Sequence, residues 1–462
     1  MNKPSTSPTL DPRLGFHYFP DTLHYREADL QTWLPVMQEL GASWLVLRSD
    51  VSRAIPESFL RGLKQAGIEP LIHFPLSLEC MPDQKEISTL LDIYADWGAR
   101  YVIFYDRPNA RASWPASSWA QQDLVERFLD RYLPLANLAM QAGLAPVFPP
   151  LEPGGSYWDT AFLHSALQAI QRRKQDLLLQ SLVLSAYGWK NPECKNAAAG
   201  MRRSLEWGAG GPERWPKSRP YHTPNGSQDQ RGFRVFDWYL SIARSVLRDT
   251  CPLILLQAGL PGSPDDLPWE MAWGPESARD YEHIARLLVG ETVQDPAQEG
   301  AALAPISDDV IACAFWLLGA DAASPNAEQA WFQAEDRKHP AYETIQAWRR
   351  LREAQLRESR QREEAVTPAG TPQRPIRHYL LLPGYEWGVS DWYLEVIRPY
   401  VKKHRPTIGF SLEEAEAAGC VTVVGNPHNY PENLMERLEK AGCAIEQIDG
   451  DGMKIATELA ER

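Results

Sequence analysis

The sequence predicts an α/β chain in which strand–helix units wind into one parallel barrel and a smaller α/β unit follows. Three observations carry this expectation. Short, continuously apolar strand segments alternate with longer amphipathic helical segments from residue 14 to residue 350. Strands of that kind are covered on both faces, as in a parallel sheet. Gly41, Gly67, Gly98 and Gly143 each stand just before a strand, where a left-handed residue ends a helix.

In order, the strand "LGFHYF" (14–19) precedes the helix "ADLQTWLPVMQELGA", and "WLVLRSD" (44–50) precedes "PESFLRGLKQAG". "IEPLIHF" (68–74) leads to "EISTLLDIYADWGA", and "RYVIFYD" (100–106) leads to "DLVERFLDRYLPLANLAMQAG". "LAPVFPP" (144–150) is followed by "TAFLHSALQAIQRRKQ". "LVLSAYG" (182–188) is followed by a long loop and then "FRVFDWYLSIARSVLRD". "PLILLQAG" (252–259) precedes "ARDYEHIARLLVGE", and "DVIACAFWLLG" (309–319) precedes "AYETIQAWRRLREAQL". Eight units of this kind in about 340 residues suit a (β/α)8 TIM barrel with inserted loops. A doubly wound open sheet is the alternative. No G-x-G-x-x-G follows the first strand, which argues against a dinucleotide-binding version.

The expected domains are a disordered N-terminus over 1–12, the barrel over 13–350, a charged helix tail and linker over 351–376, and a small α/β module over 377–462. Residues 349–376 pass from Arg/Glu-rich to Pro/Thr/Gly-rich, which is linker composition.

The 462 residues carry a formal net charge of -13 without a basic run interleaved with aromatics. Nucleic acid and anionic membrane surfaces are therefore not expected partners. The first residues lack an apolar signal core, and no stretch approaches the ~18 apolar residues of a membrane span. A cytoplasmic protein is expected, with surface association unsupported. Six scattered cysteines form no C-x-x-C pair, so mostly buried free thiols are expected rather than zinc or a disulfide framework. His17 and His73 read as ordinary barrel-mouth histidines, because His-x-His is absent from the first strand. No metal and no cofactor is expected. Tryptophan is frequent, at 17 residues. Trp114, Trp119, Trp158, Trp189, Trp207, Trp215, Trp269 and Trp273 fall in loops, where they either pack the loop or face a ring-shaped ligand.

Barrel chemistry sits at the C-terminal ends of the strands. Those ends offer Arg48, Asp50, Asp106, Arg107, Asn109, Glu152, Tyr187, Trp189, Gln257 and Trp316. Three motifs stand there: "FYDRPN" (104–109) on the fourth strand, "LLQAGLPG" (255–262) on the seventh and "AFWLLGAD" (314–321) on the eighth. In this layout residues 13–350 resemble the clan A glycoside hydrolases, retaining (β/α)8 enzymes. Their fourth strand ends in Asn-Glu-Pro with the acid/base, and their seventh ends in the nucleophilic Glu. The resemblance implies that Asp106 stands for the Asn, Arg107 for the acid/base and Gln257 for the nucleophile. Pro108 and Asn109 are retained, and Trp316 stands for the tryptophan beneath the sugar. Retention needs two carboxyl groups. Arg107 cannot give up a proton usefully, and Gln257 is a poor nucleophile without charge.

The expected function is accordingly non-catalytic: a degenerate glycosidase that binds a glycan or a protein partner at the barrel mouth. The expected contacts are Arg48, Asp106, Arg107, Asn109, Trp158, Tyr187, Trp189, Trp215, Gln257 and Trp316. Two rivals stay open. One is an active glycoside hydrolase using displaced carboxylates, Glu152 with Asp50 or Asp106. The other is a structural or assembly scaffold. A structural ion pair is the plainer expectation for Asp106. The insert 201–234, rich in Gly, Pro, Arg and Trp, is expected over the mouth as a lid or clamp with Arg214, Trp215 and Arg219.

The C-terminal segment 421–462 carries Val424-Gly425, a helix, Gly450-Asp451 and Ala456-Thr457 in that order. It is similar to one cell-wall-binding repeat of bacterial surface proteins. Asn426 replaces that repeat's second Gly, and the Arg-Tyr after Gly-Asp is missing. The resemblance implies attachment or self-assembly through this module.

Overall fold

A computed structural model describes residues 13–190, 205, 232–260, 273–296, 300–333, 337–366, 374–384, 391–431, 433–450 and 452–461. The chain divides into two compact units, 1–358 and 359–462.

The first unit is a parallel eight-stranded barrel. Its strands are β1 (Leu14–His17), β2 (Trp44–Arg48), β3 (Glu69–Phe74), β4 (Tyr101–Phe104), β5 (Ala145–Val147), β6 (Leu184–Tyr187) and β7 (Leu253–Leu256). A small antiparallel ribbon of β8 (Val293–Gln294) and β9 (Ala302–Leu303), which the hydrophobic pattern does not reveal, precedes the eighth barrel strand, β10 (Val310–Phe315). The sheet order is β5-β4-β3-β2-β1-β10-β7-β6. Closure between its two ends rests on one parallel bridge, Val147 with Val183. The Ser185 hydroxyl, donating to the Phe148 carbonyl at 2.6 Å, reinforces that seam. Observed strands are shorter than the apolar runs that predict them, because flanking residues turn into loops once the ladder ends.

The glycines expected at helix ends all take positive φ, from 73° at Gly41 to 95° at Gly98. Asp83 caps the helix Gln84–Asp96, its carboxylate accepting from the Lys85 amide at 2.8 Å. The apolar runs prove to be buried on both faces. Trp44, Val46, Leu71, Ile103, Val147, Ile254 and Leu256 fill the barrel interior, while Leu45, Leu47, Ile72, Phe104, Leu253 and Leu255 pack outward against the helices. Gly15 is required opposite its register partner Trp44: a Cβ there would lie 2.7 Å from the Trp44 Cβ. The Trp44 Cβ and backbone carbonyl thus take the space that a side chain on Gly15 would need.

The second unit is a four-stranded parallel sheet of β11 (Ile376–Leu381), β12 (Thr407–Gly409), β13 (Ala418–Val424) and β14 (Ala444–Ile448), in the order β12-β11-β13-β14. Leu380, Leu382, Val424 and Ile448 line one apolar face. Tyr379, Leu381, Val421 and Val423 line the other. Covered on both faces, this is an open α/β sheet. Thr422 is buried between these strands, hydrogen-bonded with His378 at 2.9 Å and to Glu446 at 3.1 Å.

Cys251 and Cys313 are buried free thiols, whereas Cys80 is exposed and Cys420 and Cys443 are partly exposed. The expectation of mostly buried thiols is thus only partly met, and Cys194 lies outside the described residues. Among the described residues no helix is long and apolar enough to cross a membrane.

Two buried polar groups hold the upper barrel. Lys190, just past β6, places its ammonium 2.6 Å from Asp280 and 3.1 Å from Glu276. Burial raises Asp280 to about 6 against the pull of Lys190. We predict that Lys190→Met costs about 3–5 kcal/mol in denaturant unfolding, since it leaves a buried carboxylate unpaired. A Lys190→Met/Asp280→Leu double variant recovers most of that loss. His17 tops β1 inside the barrel. Burial first, and then His73, push its pKa from 6.5 down to about 3. Between those values the unfolded chain binds a proton that the folded chain does not. Its stability contribution is therefore full above 6.5 and is lost as pH falls towards 3. Compared with His17→Gln, the wild type should lose about 1.4 kcal/mol per pH unit in that window. Urea titrations followed by tryptophan fluorescence measure the difference.

Candidate functional site

The C-terminal ends of the barrel strands bring most of the expected residues together. At the end of β4 the backbone kinks: Tyr105 has φ 69° and Arg107 φ 46°. Gln257, directly after β7, has φ 49°. Non-glycine residues in this region cost about 1–3 kcal/mol each and persist only where the surroundings hold them. Here the holding bonds are visible. The Tyr105 amide donates to the Phe74 carbonyl at 2.9 Å and the Arg107 amide to Pro150 at 3.0 Å. Beyond Gln257, the Ala258 amide donates to Ala314 at 3.0 Å and that of Gly259 to Gly188 at 2.9 Å. The kinks re-aim side chains that strict strand alternation would send elsewhere.

Arg107 is the hub. Its Nε lies 3.3 Å from Asp106 Oδ2 and its Nη1 3.8 Å from Glu152 Oε2. The Tyr187 hydroxyl donates to the other Asp106 oxygen at 2.5 Å. One guanidinium thus joins carboxylates from the loops after β4 and β5, and a phenol from β6 completes the group. The expectation of an ion pair at Asp106 is met in this geometry. The loop after β4 is packed from below. Trp114 donates to the Pro108 carbonyl at 2.7 Å, and its ring lies under Arg127 and Arg131.

Asn109, expected as a ligand contact, clasps the loop after β5. It is fully buried. Its amide nitrogen donates to the Glu152 and Tyr157 carbonyls at 2.9 and 3.0 Å, and its oxygen accepts from the Glu152 amide at 2.8 Å. All of these bonds serve to fix the Glu152 loop. Tyr187 and Trp189, also expected as contacts, stack their rings on each other at 4.7 Å and are 2% and 6% exposed. The Trp189 indole donates to Gln257 Oε1 at 3.1 Å, which locks Gln257, 7% exposed, against the aromatic pair.

Arg48 is exposed at the end of β2, beside His73 in register on β3. His73 Nε2 lies 3.0 Å from the Tyr105 carbonyl, which accepts its proton. Burial lowers the His73 pKa against the opposing pull of Asp106. Asp50 is held on the rim by the Ser52 hydroxyl at 2.6 Å and amide at 2.8 Å. Its pKa is lowered first by that hydroxyl bond. Trp316, half-buried after β10, meets the His17 ring edge-on at 5.0 Å and donates to Gln329 at 2.9 Å. Trp158 precedes the helix Asp159–Arg172, part-exposed. Arg214, Trp215 and Arg219 lie outside the described residues, as do Trp207 and Trp269.

One rim feature escapes the sequence. His24 links two loops, with Nδ1 2.9 Å from Asp21 and Nε2 3.0 Å from Asp321. The ring also stacks on Phe19 at 4.0 Å. Residues 297 apart in the chain leave no local signal of such a contact.

No protein-family model matches the chain, and no curated protein does. Solved structures that resemble it include xylanase 10B from Thermotoga maritima, 9% identical, with a TM-score of 0.41 over 75% of this chain and 97% of that one. A GH128 (subgroup II) endo-β-1,3-glucanase from Sorangium cellulosum is 13% identical, with a TM-score of 0.36 over 72% and 97%. A family 51 α-L-arabinofuranosidase from Bifidobacterium longum is 12% identical, with a TM-score of 0.40 over 73% of each chain.

Proposed function

We propose that the first unit is a non-catalytic, glycosidase-like barrel that binds a carbohydrate at its mouth. The observation that carries this reading is the pairing of an uncharged, buried Gln257 after β7 with Arg107 after β4. Hydrolysis of a glycosidic bond needs one carboxyl group as acid and another as nucleophile or base. Gln257 supplies neither role, and its oxygen is engaged by Trp189. Two carboxylates among the described residues at the mouth, Asp106 and Glu152, flank one guanidinium. What remains is a polar surface with an aromatic wall at Trp316, which suits ring recognition.

That same pair of carboxylates supports the rival reading of a displaced active site, because both are part-exposed and both flank Arg107. The scaffold reading has no comparable observation at the mouth. For the second unit, the strand–Gly–helix–strand order around Gly425 supports a module for attachment or self-assembly.

The deciding experiment assays neutral polysaccharides for hydrolysis and binding in parallel. The expected outcome is binding without release of reducing ends. Turnover that Glu152→Gln or Asp106→Asn abolishes would overturn the pseudoenzyme reading. Absence of binding to every glycan would remove the carbohydrate reading and leave a protein partner.

A further inference from the structure

The mouth is divided into two unlike halves. Over β6 and β7 it is closed: Tyr187, Trp189 and Gln257 are 2%, 6% and 7% exposed and bonded among themselves or to Asp106. Over β2 to β5 it is open. The Asp106 and Glu152 side chains keep 29% and 32% of their surface, and Arg107 keeps 26%. Arg48 is exposed, and its guanidinium makes no hydrogen bond or ion pair among the described residues. It stands beside His73, whose ring is uncharged at neutral pH because burial lowers its pKa.

Resting on the carbohydrate-binding reading above, we propose that the ligand sits off-centre, over β2–β5, where Arg48, Asp106 and Glu152 bind adjacent hydroxyls of an uncharged sugar ring. A vicinal diol both donates and accepts. One hydroxyl gives its proton to a carboxylate, and its neighbour accepts from a guanidinium. The open half offers these groups in alternation, with Arg48 and Arg107 as cations and Asp106 and Glu152 as anions. Those formal charges cancel, and the rim carboxylate of Asp50 adds a further negative charge near Arg48. A uronate ring would bring its charge against these carboxylates, and an amino sugar would bring its own against the two guanidiniums. An uncharged ring meets neither cost. Gln257 lies outside this locus and acts as a plug that seats Trp189.

The test is calorimetric titration of the full chain with xylohexaose, laminarihexaose and cellohexaose, and with an oligogalacturonate of equal length. At least one neutral sugar should bind more tightly than the uronate. Arg48→Ala should weaken that binding by about tenfold or more, an ordinary loss for a charged hydrogen bond. Arg48→Lys, which keeps the charge, most of the length and N–H donors, should restore part of it. Gln257→Glu keeps the acceptor for Trp189 and should change affinity by no more than about twofold. Tighter binding of the uronate would overturn the inference. So would a larger loss from Gln257→Glu than from Arg48→Ala, and in either case the broader reading would stand. If none of these sugars binds the wild type, the inference and the carbohydrate reading fall together.

Discussion

The barrel mouth depends on one guanidinium. Arg107 stands between Asp106 and Glu152, and Asp106 in turn orients the Tyr187 phenol. Without that cation, two carboxylates from neighbouring loops would face each other across a partly desolvated space, and like charges there repel strongly. Its presence converts a place where proton transfer is conceivable into a fixed polar surface. The left-handed φ of Arg107 aims the guanidinium, and the Asn109 clasp fixes the Glu152 loop that it meets.

The other side of the mouth follows from a different constraint. Trp189 and Tyr187 stack, and the indole proton must be satisfied once the ring is buried. Gln257 supplies the acceptor. A glutamine matches the shape of a glutamate without bringing a charge into a site about nine-tenths buried. The uncharged side chain after β7 and the buried aromatic pair are thus linked by one hydrogen bond. The Lys190–Asp280 pair anchors the backbone next to it from the helix side.

Several of these features were legible in the residues. Period and helix-ending glycines predict the barrel, because a chain that buries strands on both faces has few other architectures. The residues of "FYDRPN" and "LLQAGLPG" place Arg107 and Gln257 at the mouth, since strand order alone fixes which end of a barrel strand carries a loop. Asn109, Tyr187 and Trp189 were expected as ligand contacts, and the structure shows them buried and bonded to their neighbours. Sequence shows a polar or aromatic residue at a strand end but not whether its bonding capacity is already spent on its neighbours. The His24 clasp and the β8–β9 ribbon are long-range or very short features, with no periodic signature to find.

The sequence by itself determined the strand–helix alternation, the presence of Arg107 and Gln257 at the ends of the fourth and seventh barrel strands, and the acidic balance of the chain. These are properties of residue type and spacing. Only the tertiary structure decided which mouth residues are open and which are sealed, because exposure and hydrogen-bond satisfaction depend on what packs against a side chain from distant segments. That decision divides the mouth into an open charged half and a closed aromatic one, and it moves the expected ligand towards β2–β5.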